Sequence, residues 1–344
     1  MQDKEIHYRN VLVIDLGHLG DIILSLPALI ALREKLGQAK ITLLVPSSAE
    51  ELFKLFPIAD ELITVDRTRL KSDAKHRSIA AIFRLVADVR RRRFDLVIDL
   101  HSLYETNILG FLSGAGKRLF ANRENRSLDF LANFRPKPPK QDKGLHLSSY
   151  YLNVLNPLDV RSSDILVRIL PDRFEGAHLN GFAGANGDSH QKLIGFVVGS
   201  GHESRRWKLS NFAALAERLS KEGDARVIVF LGPAERHLEV EVKATFPVNT
   251  TVISGIPLLQ LAANLSEMSV LVGNDTGPMH LAAISGTPIV LIMDNRAPRT
   301  YLPLTESLEV VGGENLDAIT VDKVLAATLR IVSESATANE KMLR

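Results

Sequence analysis

Four stretches of this chain place acids, guanidinium groups and small flexible residues where a strand runs into a helix. The first is VLVIDLGHLGDIILSLPALIALRE, Val11–Glu34. It reads as a buried strand, a turn holding Gly17 and Gly20, and Asp21 at the mouth of a helix. Glycine tolerates positive φ and lets a ligand approach the backbone. A carboxylate at that point accepts the helix's first N–H groups and is favoured by its dipole, so capping is the plain reading of Asp21 and a chemical duty the alternative. The G-x-x-G spacing is not the G-x-G-x-x-G dinucleotide fingerprint, which removes the main support for nicotinamide chemistry.

The second stretch is SVLVGNDTGPMHLAAISGTPIVLIM, Ser269–Met293. Pro278 suits the start of a helix, where its missing N–H would be unpaired anyway. The N–H groups of Thr276 and Gly277, with the Thr276 hydroxyl, form an expected anion site. His280, in the first turn, reaches the same anion or is an ordinary packed histidine. The third is FVVGSGHESRRWKLSNFAALAERL, Phe196–Leu219, in which a turn with Ser200 and Gly201 precedes Arg205 and Arg206. Guanidinium groups bond phosphate in bidentate fashion, as a diphosphate leaving group requires; the alternative is a solvated basic edge. In the fourth, LGPAERH, Glu235 follows a Gly-Pro turn and either accepts from ribose hydroxyls or caps a helix.

These turns need a scaffold. Short apolar runs alternate with amphipathic stretches, which points to βαβ units and parallel sheets. Expected strands are 11–15, 41–45, 61–65 and 96–100 in the first half, then 193–198, 226–231, 248–253, 270–273 and 289–293. Expected helices cover 22–36, 50–55, 79–93, 146–155, 211–222, 235–244, 258–265, 278–285 and 321–333. In the 79–93 helix, Ile79, Ile82, Phe83, Val86 and Val89 share one face, which is expected to pack on a sheet. Residues 121–144 read as a long exposed loop, and 171–191, rich in Gly, Asn and Asp, as an interdomain connection with a hinge near Gly181–Gly187. At 344 residues the chain exceeds the roughly 250–300 at which one core stops growing. Two domains follow, 1–175 and 176–344, with the closing helix free to pack back on the first. Open α/β sheets bind ligands at the carboxyl ends of their strands, so a cleft between two such domains is the expected site.

Hydrophobic residues make up 45% of the chain, charged residues 24%, and there is no cysteine, which excludes disulfides and thiolate metal sites and fits a reducing cytoplasm. The net charge of +2 hides an asymmetry: residues 1–170 carry 26 Lys and Arg against 20 Asp and Glu, and the rest carry 16 against 20. A basic first half suits an anionic acceptor or a lipid surface, and nothing indicates nucleic acid. Asp15, His18 and Asp21 interrupt the apolar 11–32 segment, which argues against a membrane span or a leader.

Taken together, LGHLGDIILSLPAL, FDLVIDLHSL, RRWKLSNFAALAERL and VGNDTGPMHLAAISGTPIVLI resemble glycosyltransferase family 9, the lipopolysaccharide heptosyltransferases, over nearly the whole chain. The resemblance implies a GT-B architecture of two Rossmann-like, doubly wound domains facing across a cleft, the first binding the acceptor and the second the nucleotide-sugar. It also implies inversion at the anomeric carbon without a metal or other cofactor, and no Asp-x-Asp pair occurs in the sequence. The donor would be a nucleotide-sugar such as ADP-heptose. The acceptor would be an anionic glycan or glycolipid of the lipopolysaccharide core, reached from the cytoplasm with peripheral contact at the inner membrane. The family's proposed base falls on Asp21, beside Gly20. Its donor contacts fall on Ser200, Gly201, Glu235, Asp275, Thr276, Gly277 and His280. Three departures stand out: Arg205 where lysine is usual, Asp294-Asn295-Arg296 in place of Gly-Pro-Thr, and His101-Ser102 in place of Gln-Gly on the acceptor side. The competing readings are a transferase for another sugar, a sugar-nucleotide epimerase, a nicotinamide oxidoreductase and an inactive binding protein.

Overall fold

Runs such as VLVI and IVLIM have no polar alternation, and a strand of that kind is stable only when both of its faces are covered. The computed structural model, which describes residues 8–67, 75–124, 128–162, 164–179, 192–222 and 225–342, uses them that way. It forms two compact units, Met1–Ile165 and Leu166–Arg344.

The first unit holds a five-stranded, all-parallel sheet in the order β3-β2-β1-β4-β5. Its strands are β1 (Asn10–Ile14), β2 (Lys40–Pro46), β3 (Glu61–Val65), β4 (Leu96–Asp99) and β5 (Lys117–Phe120). The helices are α1 (Leu19–Lys35), α2 (Leu52–Leu55), α3 (Lys75–Arg91), α4 (Tyr104–Leu112) and α5 (Leu147–Val154). Val11, Leu12, Val13 and Ile14 are wholly buried. From β1 the chain winds outward through β2 to β3, then returns to β1's other side with β4. The strand order therefore reverses between β1 and β4, which is where such sheets open a ligand crevice.

The second unit repeats the scheme with six parallel strands in the order β11-β10-β9-β6-β7-β8. They are β6 (Lys192–Val197), β7 (Ala225–Leu231), β8 (Thr251–Ser254), β9 (Val270–Asn274), β10 (Ile289–Asp294) and β11 (Leu308–Gly313). Its helices are α6 (Leu209–Glu222), α7 (Glu239–Thr245), α8 (Leu258–Ser266), α9 (Gly277–Ile284) and α10 (Val321–Met342). Here the order reverses between β6 and β9. One face of the sheet is covered by a core in which Phe196, Trp207 and Phe212 meet Val324 and Ile331 of α10. The closing helix thus packs on its own sheet, against α6, β9, β10 and β11. Both units have the doubly wound parallel-sheet form that the sequence led us to expect.

Several details differ from expectation. The division at Ile165/Leu166 precedes the expected 175/176, because the next residues are tied to the second unit: Ile169 N–H donates to Ile284 O at 2.7 Å, and Phe174 is buried. The expected hinge at Gly181–Gly187 lies outside the described residues. Val248 does not begin a strand; it is fully exposed, and β8 starts at Thr251. The 235–244 helix is a 3-10 stretch, Pro233–Leu238, followed by α7. Only the C-terminal part of the α3 stripe packs on the sheet: Val89 is buried, while Ile79, Ile82 and Phe83 are exposed. Strands β5 and β11 and helix α4 were not anticipated. Among the described residues, no helix is long and apolar enough to cross a membrane.

Candidate functional site

In the first unit, everything of chemical interest gathers where β1 and β4 end. Asp15, just past β1, is wholly buried. Its Oδ2 accepts from the Ser25 hydroxyl at 2.6 Å, and its Oδ1 pairs with His101 Nε2 at 2.7 Å. Asp99, at the end of β4, is also wholly buried. Its Oδ1 accepts from the backbone N–H groups of His101 (3.1 Å) and Ser102 (2.7 Å), and its Oδ2 from Asn107 Nδ2 (2.8 Å). Asp99 thus holds the loop that delivers the His101 ring to Asp15. Arg123 Nη1 fixes the same loop by donating to His101 O at 2.9 Å, and Tyr151 Oη lies 3.3 Å from His101 Nε2.

Asp21 stands in the first turn of α1, partly exposed. Its Oδ2 accepts from His18 N–H at 3.0 Å, so the capping duty is real; no described residue donates to Oδ1. Gly17 makes the closeness of these groups possible. A Cβ there would come within 2.7 Å of Asp21 Cβ and 2.8 Å of His101 Cε1, distances no side chain tolerates. Of the expected residues, Gly20, Asp21 and His101 are therefore brought to one turn.

The charges in this turn bias each other. Burial acts to raise the Asp15 carboxyl, but His101, Ser25 and the Gly17 N–H together hold it below its ordinary value. Burial acts to keep His101 neutral, but Asp15 foremost, then Asp21 and Asp99, raise it above its ordinary value. Asp99 is raised by burial, which outweighs its hydrogen bonds, and Tyr151 is raised well above normal by burial and then by Asp15 and Asp21. These shifts favour a protonated His101 against an ionised Asp15, a buried pair supported by hydrogen bonds, next to the partly exposed carboxylate of Asp21. Asp15 escaped the sequence reading as a site residue; its signal was an acid at the end of an otherwise apolar strand.

In the second unit the equivalent place, where β6 and β9 end, is organised by a neutral residue. Asn274 is wholly buried. Its Nδ2 donates to Val198 O and Gly199 O, both at 3.1 Å, and its Oδ1 accepts from Trp207 N–H at 2.9 Å. It ties the loop after β6, which carries Ser200, Gly201 and Arg205, to the loop after β9, which carries Asp275, Thr276 and Gly277. The Trp207 indole N–H, donating to Ile319 O at 2.9 Å, anchors the far side of that loop. Sequence reasoning named neither Asn274 nor Trp207 as part of the site, although both lie inside quoted motifs.

A cavity of about 360 Å³ opens against these loops, lined among others by Arg205, Asp275, Asp294 and Arg296. Arg205 is exposed on it, and the Nε of the neighbouring Arg206 is buried with no hydrogen-bond partner among the described residues. Asp294 and Arg296 form an ion pair that holds the Asp294 carboxyl down at about 2. Thr276 is the N-cap of α9, but its hydroxyl donates weakly to Asn274 O (3.3 Å) rather than capping a helix N–H. Glu235, from the turn after β7, lies against the β6 loop: a Cβ on Gly199 would sit 2.5 Å from its carboxyl carbon. His280 is only 5% exposed and belongs to the interior of α9. The structure thus places Arg205 and Asp275 on one cavity, Glu235 against Gly199 of the loop that carries Ser200 and Gly201, and Thr276 and Gly277 at the helix mouth.

A sequence profile of glycosyltransferase family 9 (heptosyltransferase) matches residues 82–327. The chain belongs to that family. A family 9 glycosyltransferase from Veillonella parvula has a solved structure that this glycosyltransferase matches with a TM-score of 0.79 at 26% identity, over 96% of this chain and 99% of that one. The lipopolysaccharide heptosyltransferase 3 of Escherichia coli is 23% identical over 79% of each chain. The E. coli heptosyltransferase WaaC with ADP shares the fold, with a TM-score of 0.77 at 16% identity over 95% of this chain and 99% of that one. The chain is a glycosyltransferase with the two parallel-sheet domains of the GT-B heptosyltransferases.

Proposed function

We propose that this glycosyltransferase moves a heptose-type sugar from ADP-heptose onto a hydroxyl of a lipopolysaccharide-core or related glycan, in one inverting displacement that uses no metal. The acceptor binds the first unit near Gly20, Asp21 and His101. Asp21 Oδ1 takes the proton of the acceptor hydroxyl as that oxygen attacks the anomeric carbon. The donor binds the second unit. As the bond to the sugar breaks, the nucleoside diphosphate gains negative charge. Arg205 and the N–H groups of Thr276 and Gly277 stabilise it, and oriented donors of this kind stand in for a cation. Glu235, Ser200 and Gly201 hold the nucleoside side, Asp275 the sugar side, and His280 supports the helix mouth from within. The glycolipid acceptor places the reaction at the cytoplasmic face of a membrane.

The observation that carries this reading is the cavity lined by Arg205 and Asp275 at the strand-order reversal of the second unit. The choice of ADP-heptose is supported by the relatives, among them heptosyltransferase structures with ADP and with ADP-2-deoxy-2-fluoro heptose. The test is a thermal-shift titration with ADP, UDP and GDP, since a ligand that binds only the folded chain raises its melting temperature. ADP is expected to give the largest shift. A larger response to UDP or GDP rejects ADP-heptose as donor, and incubation with ADP-heptose alone must leave the sugar's stereochemistry intact, or the enzyme is an epimerase instead.

A further inference from the structure

Helix α3 has the composition of a membrane-surface helix. Its sequence, KHRSIAAIFRLVADVRR, carries Lys75, Arg77, Arg84, Arg90 and Arg91 against the single acid Asp88. Yet Ile79, Ile82 and Phe83, at helical spacing, are 53%, 50% and 71% exposed. Helix α4 adds to the same face. Val89 of α3 and Leu109 of α4 enter one buried cluster with Val97 of β4, so both helices cover the same side of the sheet. Arg90 Nη1 ties them by donating to Leu112 O at 3.3 Å. The outward residues of α4, Tyr104, Ile108, Phe111 and Leu112, are all exposed. Phe130, on the short turn packed against α4, is 73% exposed.

Large apolar side chains standing together on a surface signal a partner. The charges around them choose which. Arg84 and Arg90 bond only backbone carbonyls, and neither meets a carboxylate among the described residues; Arg118 lies over the Phe111 ring at 5.3 Å. The acids on these two helices are Asp88, already paired with Arg91 and Arg92, and Glu105. A second copy seated on this face by two-fold symmetry would set arginine against arginine. An anionic bilayer offers both phosphate for the guanidinium groups and hydrocarbon for the apolar side chains, which sink about 5–10 Å in such helices.

We propose that the outer face of α3 and α4 docks this protein onto an anionic lipid bilayer. The inference builds on the membrane-facing reaction proposed above and adds the surface that makes the contact; it does not depend on Asp21 or on the donor.

The test is co-sedimentation of the full chain with vesicles of phosphatidylcholine alone or of an equal mixture with phosphatidylglycerol. Binding is expected only to the mixture, weakening as salt is raised. Ile82→Ser with Phe83→Ser should reduce binding at least about tenfold, and each of Arg84→Gln and Arg90→Gln about fivefold. Val248→Ser, an exposed apolar residue of the other unit, should leave it unchanged. Phe83→Trp keeps the fold testable. The indole introduced by that substitution should be quenched by brominated phosphatidylglycerol vesicles, whereas the buried Trp207 of the parent is not. The proposal is overturned by equal binding to both vesicle types, by no binding, by serine variants that bind like the parent, or by a Phe83→Trp variant whose emission the brominated lipid leaves unquenched. It is also overturned if the parent sediments as a dimer that the serine variants dissociate, which would make the face a contact between copies. None of these outcomes touches the transferase reading, because no sugar substrate is present.

Discussion

The ends of β1 and β4 and the ends of β6 and β9 occupy equivalent places in two similar sheets, each at the point where strand order reverses. Their interiors are opposite in kind. Around the first, two wholly buried carboxylates, Asp15 and Asp99, hold a histidine whose protonated form they favour. Around the second, a buried amide, Asn274, joins three backbone groups and adds no charge; the ions stand outside it, on the rim of an open cavity. A charge that must transfer a proton needs neighbours that fix its ionisation. A pocket for a diphosphate needs preorganised donors and no buried anion to repel it. On the proposed function, the same scaffold is furnished for acid–base work in one unit and for anion binding in the other.

The sharpest way to break this contrast is at Asp21. As a general base it should be worth about 10²–10⁴ in turnover, so Asp21→Ala should lower kcat by at least that order while leaving ADP affinity, measured by calorimetry, nearly intact. As a cap alone it would cost about 1 kcal/mol of stability and leave kcat close to the parent's. Unfolding and turnover measured on the same variant separate the capping duty, visible in the hydrogen bond from His18 N–H, from the proposed catalytic one.

Asn274 tests the other side. Removing its side chain strands three buried backbone groups, each costing on the order of 1 kcal/mol or more when left unpaired. Asn274→Ala should therefore lower the unfolding free energy by about 2–4 kcal/mol in urea titration and loosen the Arg205 loop, weakening ADP binding as well. A variant of unchanged stability would mean that the loops after β6 and β9 are held by something other than this amide.

How far the sequence itself led can be judged on these residues. Strands β1 and β9 were legible because their runs VLVI and VLV are unbroken and apolar, and the turns after them because Gly, Asp and Pro fall at fixed places. Strand β5, with the sequence KRLF, was missed because it is short, half charged and at a sheet edge. Helix α4 was missed because Tyr104, Ile108, Leu109, Phe111 and Leu112 leave it without a polar face. The α3 stripe was read correctly as a helix but wrongly as fully covered, since periodicity reports a face and not what lies against it. Asn274 and Asp15 went unassigned for the same reason: a polar residue ending a strand declares its partners only when the loops have closed around it.

A smaller effect is expected at Arg205, which lies open to solvent on its cavity. Charge-assisted bonds to phosphate are worth about 1.5–3 kcal/mol, and exposure takes the lower end. Arg205→Gln should weaken ADP binding about tenfold in calorimetry and raise the donor KM, with kcat reduced less than by Asp21→Ala. Arg205→Lys should recover much of the affinity but not all of it, because an ammonium keeps the charge and loses the planar fork. If Arg205→Gln bound ADP like the parent, the anion pocket would have to be sought elsewhere on the second unit.

The subtlest test of the contrast is the dependence of stability on pH. His101 has a folded pKa raised above its ordinary value near 6.5. The stability it lends is then fully present below that value and is lost as pH rises through the raised one. Asp15, held below its ordinary 3.8, lends stability that is present above 3.8 and lost as pH falls through the lowered value. Asp99 is raised instead, so the stability it lends is lost as pH climbs from 3.8 to its folded value, which obscures the acid flank. Between 6.5 and 10.0 the alkaline flank is set by His101, and Tyr151, itself raised, adds its own decline only above that. Melting temperature should decline as pH rises above 6.5, and His101→Gln should flatten that decline while destabilising the chain most near pH 6, where the ion pair is complete. No buried pair of this kind exists among the described residues around Asn274, so Asn274→Ala should lower the melting curve without changing its alkaline slope. Equal slopes in the parent and in His101→Gln would show that the histidine beside Asp21 is neutral in the folded chain, and the acid–base character of that turn would then rest on Asp21 alone.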